Sequence, residues 1–179
     1  MTLTDLYQRP GFLLRRTHQI SAAVFENACA SVGLTPAQYG VLTVLAAEPG
    51  LDQTRLSRAL AFDKVTVMRV LKGLEERGLV RREQSAVSRR QKTVALTPAG
   101  TALLAAAREP AERAYHRLLS PLDAAQRLQL IELLQTLTNG LADEARAPFV
   151  PLDPAGTKAD KVRTTSGRTT AADPRRPRD

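Results

Sequence analysis

The stretch from Asp63 to Gly78 constrains the fold most, because it encodes a short helix with two incompatible faces. Apolar residues recur at i, i+3, i+4 and i+7, the spacing of a helix face that packs against a core: Val67, Val70, Leu71 and Leu74. The first turn and the opposite face carry basic, small and methyl-bearing side chains: Lys64, Val65, Thr66, Arg69 and Lys72. Asp63 can cap the first N–H groups and Gly78 can end the helix.

The outer side chains of this helix suit the major groove of DNA. Arginine and lysine bind guanine or phosphate, threonine can bind to several bases, and a valine methyl group can contact a thymine methyl group. An ordinary amphipathic surface helix would show a similar pattern, so the flanking sequence decides between the two interpretations.

The residues before this helix predict a second helix and a tight turn. Asp52 can cap a short helix that carries Leu56, Ala59 and Leu60, and only Ala61, Phe62 and Asp63 separate the two helices. Two short helices joined in this way form a helix-turn-helix, in which the second helix is the recognition helix.

The residues after Gly78 predict a hairpin. Leu79–Glu83 and Lys92–Leu96 have strand-like composition, and alternation in the second turns Val94 and Leu96 inward. The polar loop between them carries Arg89 and Arg90. A hairpin tipped with arginine directly after a helix-turn-helix is a wing, and arginine suits the negative potential of a narrow minor groove. The alternative is a solvated hairpin with incidental charges.

Longer helices are predicted on the N-terminal side. Residues 1–10 are expected to be loose or a short lead-in, and a helix is expected from Gly11 to about Val32, with Gly33 at its end. Thr35, Pro36 and Gln38 then have the spacing of a capping box with proline in the first turn. Pro49 and Gly50 stop the helix that they open.

Two further helices are predicted on the C-terminal side. Thr97-Pro98 opens a helix that Pro110 should kink or break, and Ser120–Asp123 opens a last helix that runs to about Asp143. The last helix carries apolar residues near heptad spacing: Leu130, Ile131, Leu134, Leu137 and Leu141. These residues need a partner, which is either the first long helix or a second subunit. From Pro148 onward the composition predicts a disordered, mildly basic tail.

Composition restricts the function further. The 179 residues include 26 Lys and Arg against 18 Asp and Glu, and most of the excess lies between Gly50 and Leu96. This charge favours nucleic acid as the partner. There is a single cysteine, no signal sequence and no apolar run long enough to span a membrane, so a cytoplasmic protein without a membrane partner is expected. We find no catalytic motif, metal-ligand cluster or phosphate loop, and therefore predict no enzyme, cofactor or metal.

Several motifs in the predicted order resemble the MarR (multiple antibiotic resistance regulator) family of winged-helix transcription factors. They are Leu34–Tyr39, Leu56–Val80 and the run from Arg89-Arg90 to Gly100, and the resemblance covers roughly Phe12 to Asp143. One position departs from the family. The wing usually reads Asp-Arg-Arg, with the aspartate holding the second arginine, and Ser88 stands at the aspartate position here.

The resemblance implies a fold that is mainly α with a small β-hairpin wing (α+β), in which dimerisation helices flank a winged helix-turn-helix. Residues 1–33 would serve dimerisation and ligand binding, 34–100 DNA binding and 101–143 dimerisation, and 144–179 would be the disordered basic tail. A homodimer would place its two recognition helices about one DNA turn apart on a near-palindromic operator. Such proteins usually repress, and release DNA when a small ligand binds.

The resemblance also suggests a ligand region near the first long helix. The candidate lining residues are Arg15, Arg16, His18, Gln19 and Tyr39. Parts of this sequence, including Gly11–Arg16 and Pro49–Gln53, resemble the branch that senses aromatic acids or their CoA thioesters. An arginine could pair with a carboxylate or phosphate of an anionic aromatic ligand. The alternative for Arg15 and Arg16 is an exposed helix face.

Two other functions are compatible with the sequence. Cys29 could make the protein a redox-responsive regulator, although its apolar neighbours favour a buried structural thiol. A DNA-binding architectural protein without an effector would share the basic winged helix, but would show little sequence preference and no ligand response.

Overall fold

A computed structural model describes residues 2–84 and 92–152. The described chain is mainly helical with one small antiparallel sheet, which confirms the predicted fold class. The elements in chain order are α1 (Leu3–Tyr7), α2 (Pro10–Ala28), α3 (Pro36–Ala47), β1 (Leu51–Asp52), α4 (Gln53–Ala59), α5 (Lys64–Glu76), β2 (Val80–Gln84), β3 (Lys92–Leu96), α6 (Pro98–Leu119) and α7 (Ala124–Gly140), followed by a 3₁₀ turn (Ala142–Glu144).

The predicted helix caps are confirmed. The side chains of Asp52, Asp63 and Thr97 accept from backbone N–H groups in the first turns of α4, α5 and α6. Thr35 forms the predicted capping box at α3. The segment Ser120–Asp123 was predicted only to open the last helix, and in the structure its last residue, Asp123, forms a capping box at α7. A cap satisfies N–H groups that the helix itself leaves unpaired, so these residues fix where each helix begins.

Two hydrophobic clusters organise the chain. The larger one joins α3, α4, α5, the sheet and the start of α6, and its fully buried members include Leu42, Leu56 and Leu71. The smaller one packs α2 against α6 through Phe25, Cys29, Ala111 and Ala114. The first cluster supports the helix-turn-helix, while the second holds the two long helices together.

The sheet has three strands in the order β1-β3-β2. The wing strands pair antiparallel from Val80 opposite Leu96 to Gln84 opposite Lys92, so the predicted hairpin is confirmed with β2 shifted by one residue. Sequence analysis missed β1, a two-residue strand whose Leu51 pairs with Val94.

The N-terminal predictions need two corrections. Residues 3–7 form α1, because Thr2 and Asp5 make a capping box at its start. Helix α2 ends at Ala28 rather than near Val32. The chain turns back there, with the N–H groups of Val32 and Gly33 both donating to the carbonyl of Cys29, and Gly33 has a φ of +59°.

Pro110 does not break the helix that contains it. Helix α6 is 22 residues long and continues past Pro110, although this proline has no N–H to donate to the carbonyl of Ala106. Pro110 and Ala111 are both buried, and Ala111 belongs to the cluster that packs α6 on α2. We attribute the continuous helix to this packing, which the local sequence does not reveal.

Helix α7 has no buried side chain in the described chain. It ends at Gly140, three residues before the predicted end. Four of the predicted interface residues, Ile131, Leu134, Leu137 and Leu141, are between 39% and 59% exposed, and Leu130 is half-buried. Leu13, Leu14 and Ile20 on α2 are also exposed, so neither helix covers the apolar surface of the other.

The predicted start of the disordered tail, residue 144, is too early. Beyond the 3₁₀ turn, the N–H of Val150 donates to the carbonyl of Arg58 in α4 at 3.0 Å. Leu152 is partly buried against the larger cluster. The chain through Leu152 therefore packs on the helix-turn-helix, and residues 153–179 lie outside the described part.

Candidate nucleic-acid interface

The turn between α4 and α5 is fixed by hydrogen bonds to the end of α4. The N–H of Phe62 donates to the carbonyl of Ser57 at 2.9 Å, and the N–H of Ala61 donates to the carbonyl of Arg58 at 3.3 Å. Ala61 has a φ of +51°, in the left-handed region that costs a non-glycine residue about 1 kcal/mol. The buried Ser57 also donates its hydroxyl to Thr54. These bonds hold the two helices in one orientation.

Helix α5 separates its residues as the sequence predicted. Val67, Leu71 and Leu74 are fully buried, and Val70 is half-buried beside them. The outer face is exposed: Lys64, Val65, Met68, Arg69 and Lys72. Burial of one face against the core sets which side chains the other face presents to a partner.

Thr66 differs from the other predicted DNA-contact residues, because it is half-buried and its hydroxyl is engaged. The hydroxyl donates to one carboxylate oxygen of Asp63 at 3.0 Å, while the other oxygen accepts from the N–H of Thr66 at 2.7 Å. These bonds lower the pKa of Asp63 below its usual value. The methyl group and the acceptor lone pairs of Thr66 remain for other contacts.

An acidic residue adjoins the basic side chains at the far end of the outer face. The ammonium group of Lys72 lies 3.8 Å from the carboxylate of Glu76 one turn later, and both side chains are more than half exposed. An exposed pair of this kind contributes little to stability. Its main effect is to offset the charge of Lys72 on this surface.

The C-terminal end of α5 is attached to the turn between α2 and α3. The guanidinium of Arg77 donates to the carbonyls of Gly33 at 2.7 Å and Val32 at 3.2 Å, and approaches the side-chain oxygen of Gln38 at 3.5 Å. Sequence analysis gave Arg77 no individual role. These contacts link the recognition helix to the chain segment that joins α2 to α3.

The wing strands are anchored to the same helix. The guanidinium of Arg82 on β2 donates to the carboxylate of Glu75 on α5 at 2.8 Å. The last described pair of the hairpin is Gln84 and Lys92. Arg89, Arg90 and Ser88 fall between them, outside the described residues, so the predicted wing contacts remain predictions.

A cleft of about 290 Å³ opens between α2, α3 and α6. Its lining is mostly apolar with a few hydroxyl groups: Ser21, Phe25, Tyr39, Thr43, Val44, Leu60 and Tyr115 among others. The rings of Phe25 and Tyr39 lie 5.5 Å apart between centroids. Thr43 donates its hydroxyl to the carbonyl of Tyr39, so toward the cleft this hydroxyl acts as an acceptor.

The predicted ligand residues do not lie together. Tyr39 lines the cleft, whereas Arg15, Arg16 and Gln19 line a second, shallower cleft along α2, and His18 lines neither. All four predicted residues on α2 are exposed. For Arg15 and Arg16, this agrees with the alternative interpretation, in which they belong to an exposed helix face. Sequence analysis missed Ser21, Phe25, Thr43 and Tyr115, which are distant in sequence and are joined only by the fold.

Cys29 is fully buried, and burial raises the pKa of its thiol, with the charge of Arg113 acting in the opposite direction. A raised pKa and an inaccessible sulfur both reduce thiolate reactivity.

Two general features of the described ranges bear on partners. Within residues 2–84 and 92–152, no three His, Cys, Asp or Glu side chains are grouped so that they could hold a metal ion. No helix in these ranges is long and apolar enough to cross a membrane.

Comparison with known proteins agrees with this arrangement. Residues 32–91 match the MarR family. A regulatory protein assigned to the hcr operon of Thauera aromatica is 35% identical over 128 residues, which cover 71% of this chain and 77% of that protein.

Two solved structures are similar to this chain in both fold and sequence. The transcriptional repressor CouR, bound to a 23-mer DNA duplex, superposes with a TM-score of 0.69 at 34% identity, covering 77% of this chain and 98% of that chain. CouR has also been solved with p-coumaroyl-CoA. Bordetella bronchiseptica BpsR, whose DNA binding is regulated by 6-hydroxynicotinic acid, has a TM-score of 0.70 at 30% identity, covering 74% of this chain and 95% of BpsR. The winged helix-turn-helix and these likenesses together show that the chain belongs to the MarR family of transcriptional regulators.

Proposed function

We propose that this protein is a homodimeric repressor that binds a near-palindromic operator and leaves it when a small ligand binds. The observation that carries the proposal is the division of α5, whose inner face is fully buried while its basic outer face is exposed. The turn from α4 holds that outer face in one orientation. A rigid, exposed and basic helix of this length is what major-groove recognition requires.

Each outer residue has a role that its chemistry allows. Arg69 and Lys64 would bind guanine or phosphate, and Val65, which is 73% exposed, would contact a thymine methyl group. Lys72 would bind phosphate. Thr66 would contribute its methyl group, since its hydroxyl donates to Asp63. Arg89 and Arg90 of the wing would enter the minor groove.

The exposed apolar surface supports the dimer. Helix α7 exposes leucine and isoleucine along its length, and α2 exposes three large apolar residues. A monomer with so much uncovered apolar surface would associate, and a second copy offers the same surface in return. A two-fold dimer would present two copies of α5, which fits an operator with two half-sites.

The cleft between α2, α3 and α6 is the proposed effector site. Its volume is near the lower end for small-molecule sites, and its apolar walls with a few hydroxyls suit an aromatic ring. An aromatic acid or its CoA thioester is supported as the ligand class by CouR, which has been solved bound to p-coumaroyl-CoA, and by BpsR, whose DNA binding is regulated by 6-hydroxynicotinic acid. Arg15 and Arg16 line the separate cleft along α2, so they are candidate partners only for an anionic group that extends out of the first cleft, such as the phosphates of a CoA thioester.

The position of the cleft suggests how binding would release DNA. One wall is α3, which belongs to the cluster that supports α5, and the other walls are α2 and α6. A ligand that prefers a different spacing of these helices would favour a dimer whose recognition helices no longer match the operator.

Binding of the purified protein to its own promoter region tests the proposal. The assay uses fixed salt and competitor DNA, and is repeated with benzoate, cinnamate and CoA-type compounds. Specific binding that one compound releases is the expected result. Equal binding to promoter and unrelated DNA would instead favour the architectural protein. Specific binding that no candidate compound changes would contradict the effector part alone.

Variants make this test sharper. Arg69→Ala should lower specific binding about 5- to 100-fold, the range for loss of one base contact. Arg108→Ala is the matched control, since Arg108 is an exposed arginine on α6 outside the helix-turn-helix. Sedimentation velocity establishes whether the protein is a dimer, and Leu134→Glu should shift it toward the monomer.

A further inference from the structure

Val65 and Met68 are the two large apolar side chains on the exposed face of the recognition helix. They are 73% and 54% exposed and lie three residues apart, so they are neighbours on one face of α5. Arg69 lies on the same face, four residues after Val65. Scattered apolar side chains are normal on a surface, but two neighbours beside a cation match the major groove, where thymine methyl groups lie between phosphates. The roles proposed above make no use of Met68.

The polar groups of α5 restrict the bases that it can read. Adenine is read with two hydrogen bonds by Asn or Gln, and neither occurs among the 13 residues of α5, all of which the structure describes. Cytosine is read by a carboxylate, but Asp63 at the N-cap accepts twice from Thr66. Glu75 and Glu76 each pair with a basic side chain. The hydroxyl of Thr66 offers a base only its lone pairs, because its proton is donated to Asp63. Guanine, through the cations, and thymine, through the apolar side chains, are therefore the bases that suit this face.

The positions of the two apolar side chains along α5 fit neighbouring base pairs. In helix-turn-helix proteins, base contacts come from the N-terminal residues of the recognition helix, and Val65 and Met68 lie in its first two turns. Three helical residues rise by about 4.5 Å, which is close to the base-pair step of about 3.4 Å. Methionine is long and flexible, so the end of its side chain can adjust to the second thymine.

We propose that Val65 and Met68 together bind the methyl groups of thymines in two neighbouring base pairs, beside a guanine that Arg69 binds. Met68 is then a specificity-determining residue, and each operator half-site contains two adjacent A·T pairs next to a G·C pair. This inference rests on the proposed DNA-binding function and adds the base preference of the recognition helix.

Selection of bound duplexes from a random-sequence pool gives the preferred half-site. The wild-type protein is used at fixed salt with competitor DNA. We expect enriched half-sites that contain two adjacent A·T pairs next to a G·C pair. Enriched half-sites without adjacent A·T pairs would overturn this inference and leave the proposed repressor function intact. No enrichment of any sequence would overturn both.

Uracil substitution tests the methyl groups directly, because uracil pairs with adenine as thymine does but lacks the methyl group. The enriched duplex is remade with uracil in place of the thymines of the two adjacent A·T pairs in one half-site. Wild-type affinity should fall about fourfold for each methyl group that loses its contact, or about 16-fold for both. Uracil in place of thymines outside the half-sites is the control and should leave the affinity unchanged. Equal affinity for the thymine and uracil duplexes would overturn the inference.

Met68→Ala tests the contact with the second thymine. Alanine has the highest helix propensity, so α5 should keep its fold. In this variant the uracil effect should fall from about 16-fold to about fourfold, because Val65 still contacts one methyl group. Lys72→Gln is the matched control on the same face. It should weaken binding to both duplexes by the same factor, because the phosphates are unchanged. A full uracil effect in Met68→Ala would overturn the role of Met68.

Discussion

Arg77 at the end of the recognition helix donates to the carbonyl of Gly33, 44 residues away, at 2.7 Å. The same guanidinium reaches Val32 and Gln38. Gly33 has a left-handed backbone conformation at the end of the turn that follows α2. Gln38 belongs to the capping box of α3. One side chain therefore fixes α5 relative to the start of α3, on which Pro36 and Tyr39 line the cleft.

Loss of this contact should weaken both stability and DNA binding. Arg77→Gln removes the charged hydrogen bonds to two backbone carbonyls and should lower the free energy of unfolding by about 1–2 kcal/mol, a value reduced for exposure. Urea unfolding measures this change. Arg81→Gln is the control, because Arg81 pairs with Glu83 on the same strand, and its loss should cost less than about 0.5 kcal/mol. Equal effects of the two variants would contradict the role of Arg77.

Gly100 allows the first turn of α6 to pack directly against the backbone of Leu79, the residue before β2. A Cβ atom at this position would lie 2.0 Å from the carbonyl oxygen of Leu79, and that carbonyl is held by the N–H of Thr97. Gly100→Ala should therefore destabilise the fold by more than about 3 kcal/mol, because backbone must move.

Gly73→Ala is the matched control for Gly100→Ala. Gly73 lies within α5, and an added Cβ would meet only the amide nitrogen of Gln38 at 3.7 Å. Alanine in a helix interior should stabilise by about 0.5–1 kcal/mol. Chemical denaturation of both variants should give changes of opposite sign, and a tolerated Gly100→Ala would show that Leu79 can shift.

The features that sequence analysis predicted well are local ones. Asp52, Asp63 and Thr97 lie next to the groups that they cap, and the i, i+3, i+4, i+7 pattern of α5 depends on one helix alone. The division of α5 into a buried and an exposed face therefore follows from its own residues. The wing strands were predicted for the same reason, since their alternation is local.

The features that sequence analysis missed depend on contacts between distant segments. Leu51 forms a strand only because Val94 offers a free edge 43 residues later, and α6 passes Pro110 because Ala111 packs on α2. The cleft draws residues from three helices, so its lining could not be predicted from the candidates on α2. The contact of Leu152 with the core likewise required the path of the folded chain.

Cys29 should not respond to oxidants in the native protein. Its side chain is fully buried and burial raises the pKa of the thiol, so little reactive thiolate is present at neutral pH. A thiol reagent such as DTNB should label it only after unfolding, and hydrogen peroxide should leave DNA binding unchanged. Rapid labelling of the native protein, together with loss of DNA binding that Cys29→Ala prevents, would establish the redox-responsive alternative.

Asp63 should give α5 a stability contribution that acid removes. Hydrogen bonds from Thr66 lower the pKa of its carboxyl group, so the charged form is favoured in the folded state. A lowered folded-state pKa stabilises above the unfolded pKa, and this contribution is lost as pH falls through the folded pKa. The difference in melting temperature between wild type and Asp63→Ala should be constant above about pH 5 and should shrink below about pH 4.

Asp63→Asn is the control for this pH dependence. Asparagine keeps a side-chain oxygen that can cap the helix but cannot titrate. Its melting temperature should lie closer to that of the wild type than to that of Asp63→Ala at neutral pH. A difference between wild type and Asp63→Ala that stays the same down to about pH 2.5, which is about 1.4 units below the usual aspartate pKa, would show that ionisation of the cap contributes nothing.

Glu76 should restrain DNA binding through its effect on Lys72. The two charges lie 3.8 Å apart on the exposed end of α5, so the carboxylate both offsets the lysine and repels phosphate. Glu76→Gln should therefore strengthen DNA binding several-fold at low salt and increase the magnitude of the salt slope by up to about 1. Lys72→Gln should change the slope by about 1 in the opposite direction. Glu109→Gln, which removes a similar pair with Arg113 on α6, should leave DNA binding unchanged. If the gain from Glu76→Gln persists at full size in the Lys72→Gln background, Glu76 acts directly on the DNA rather than through Lys72.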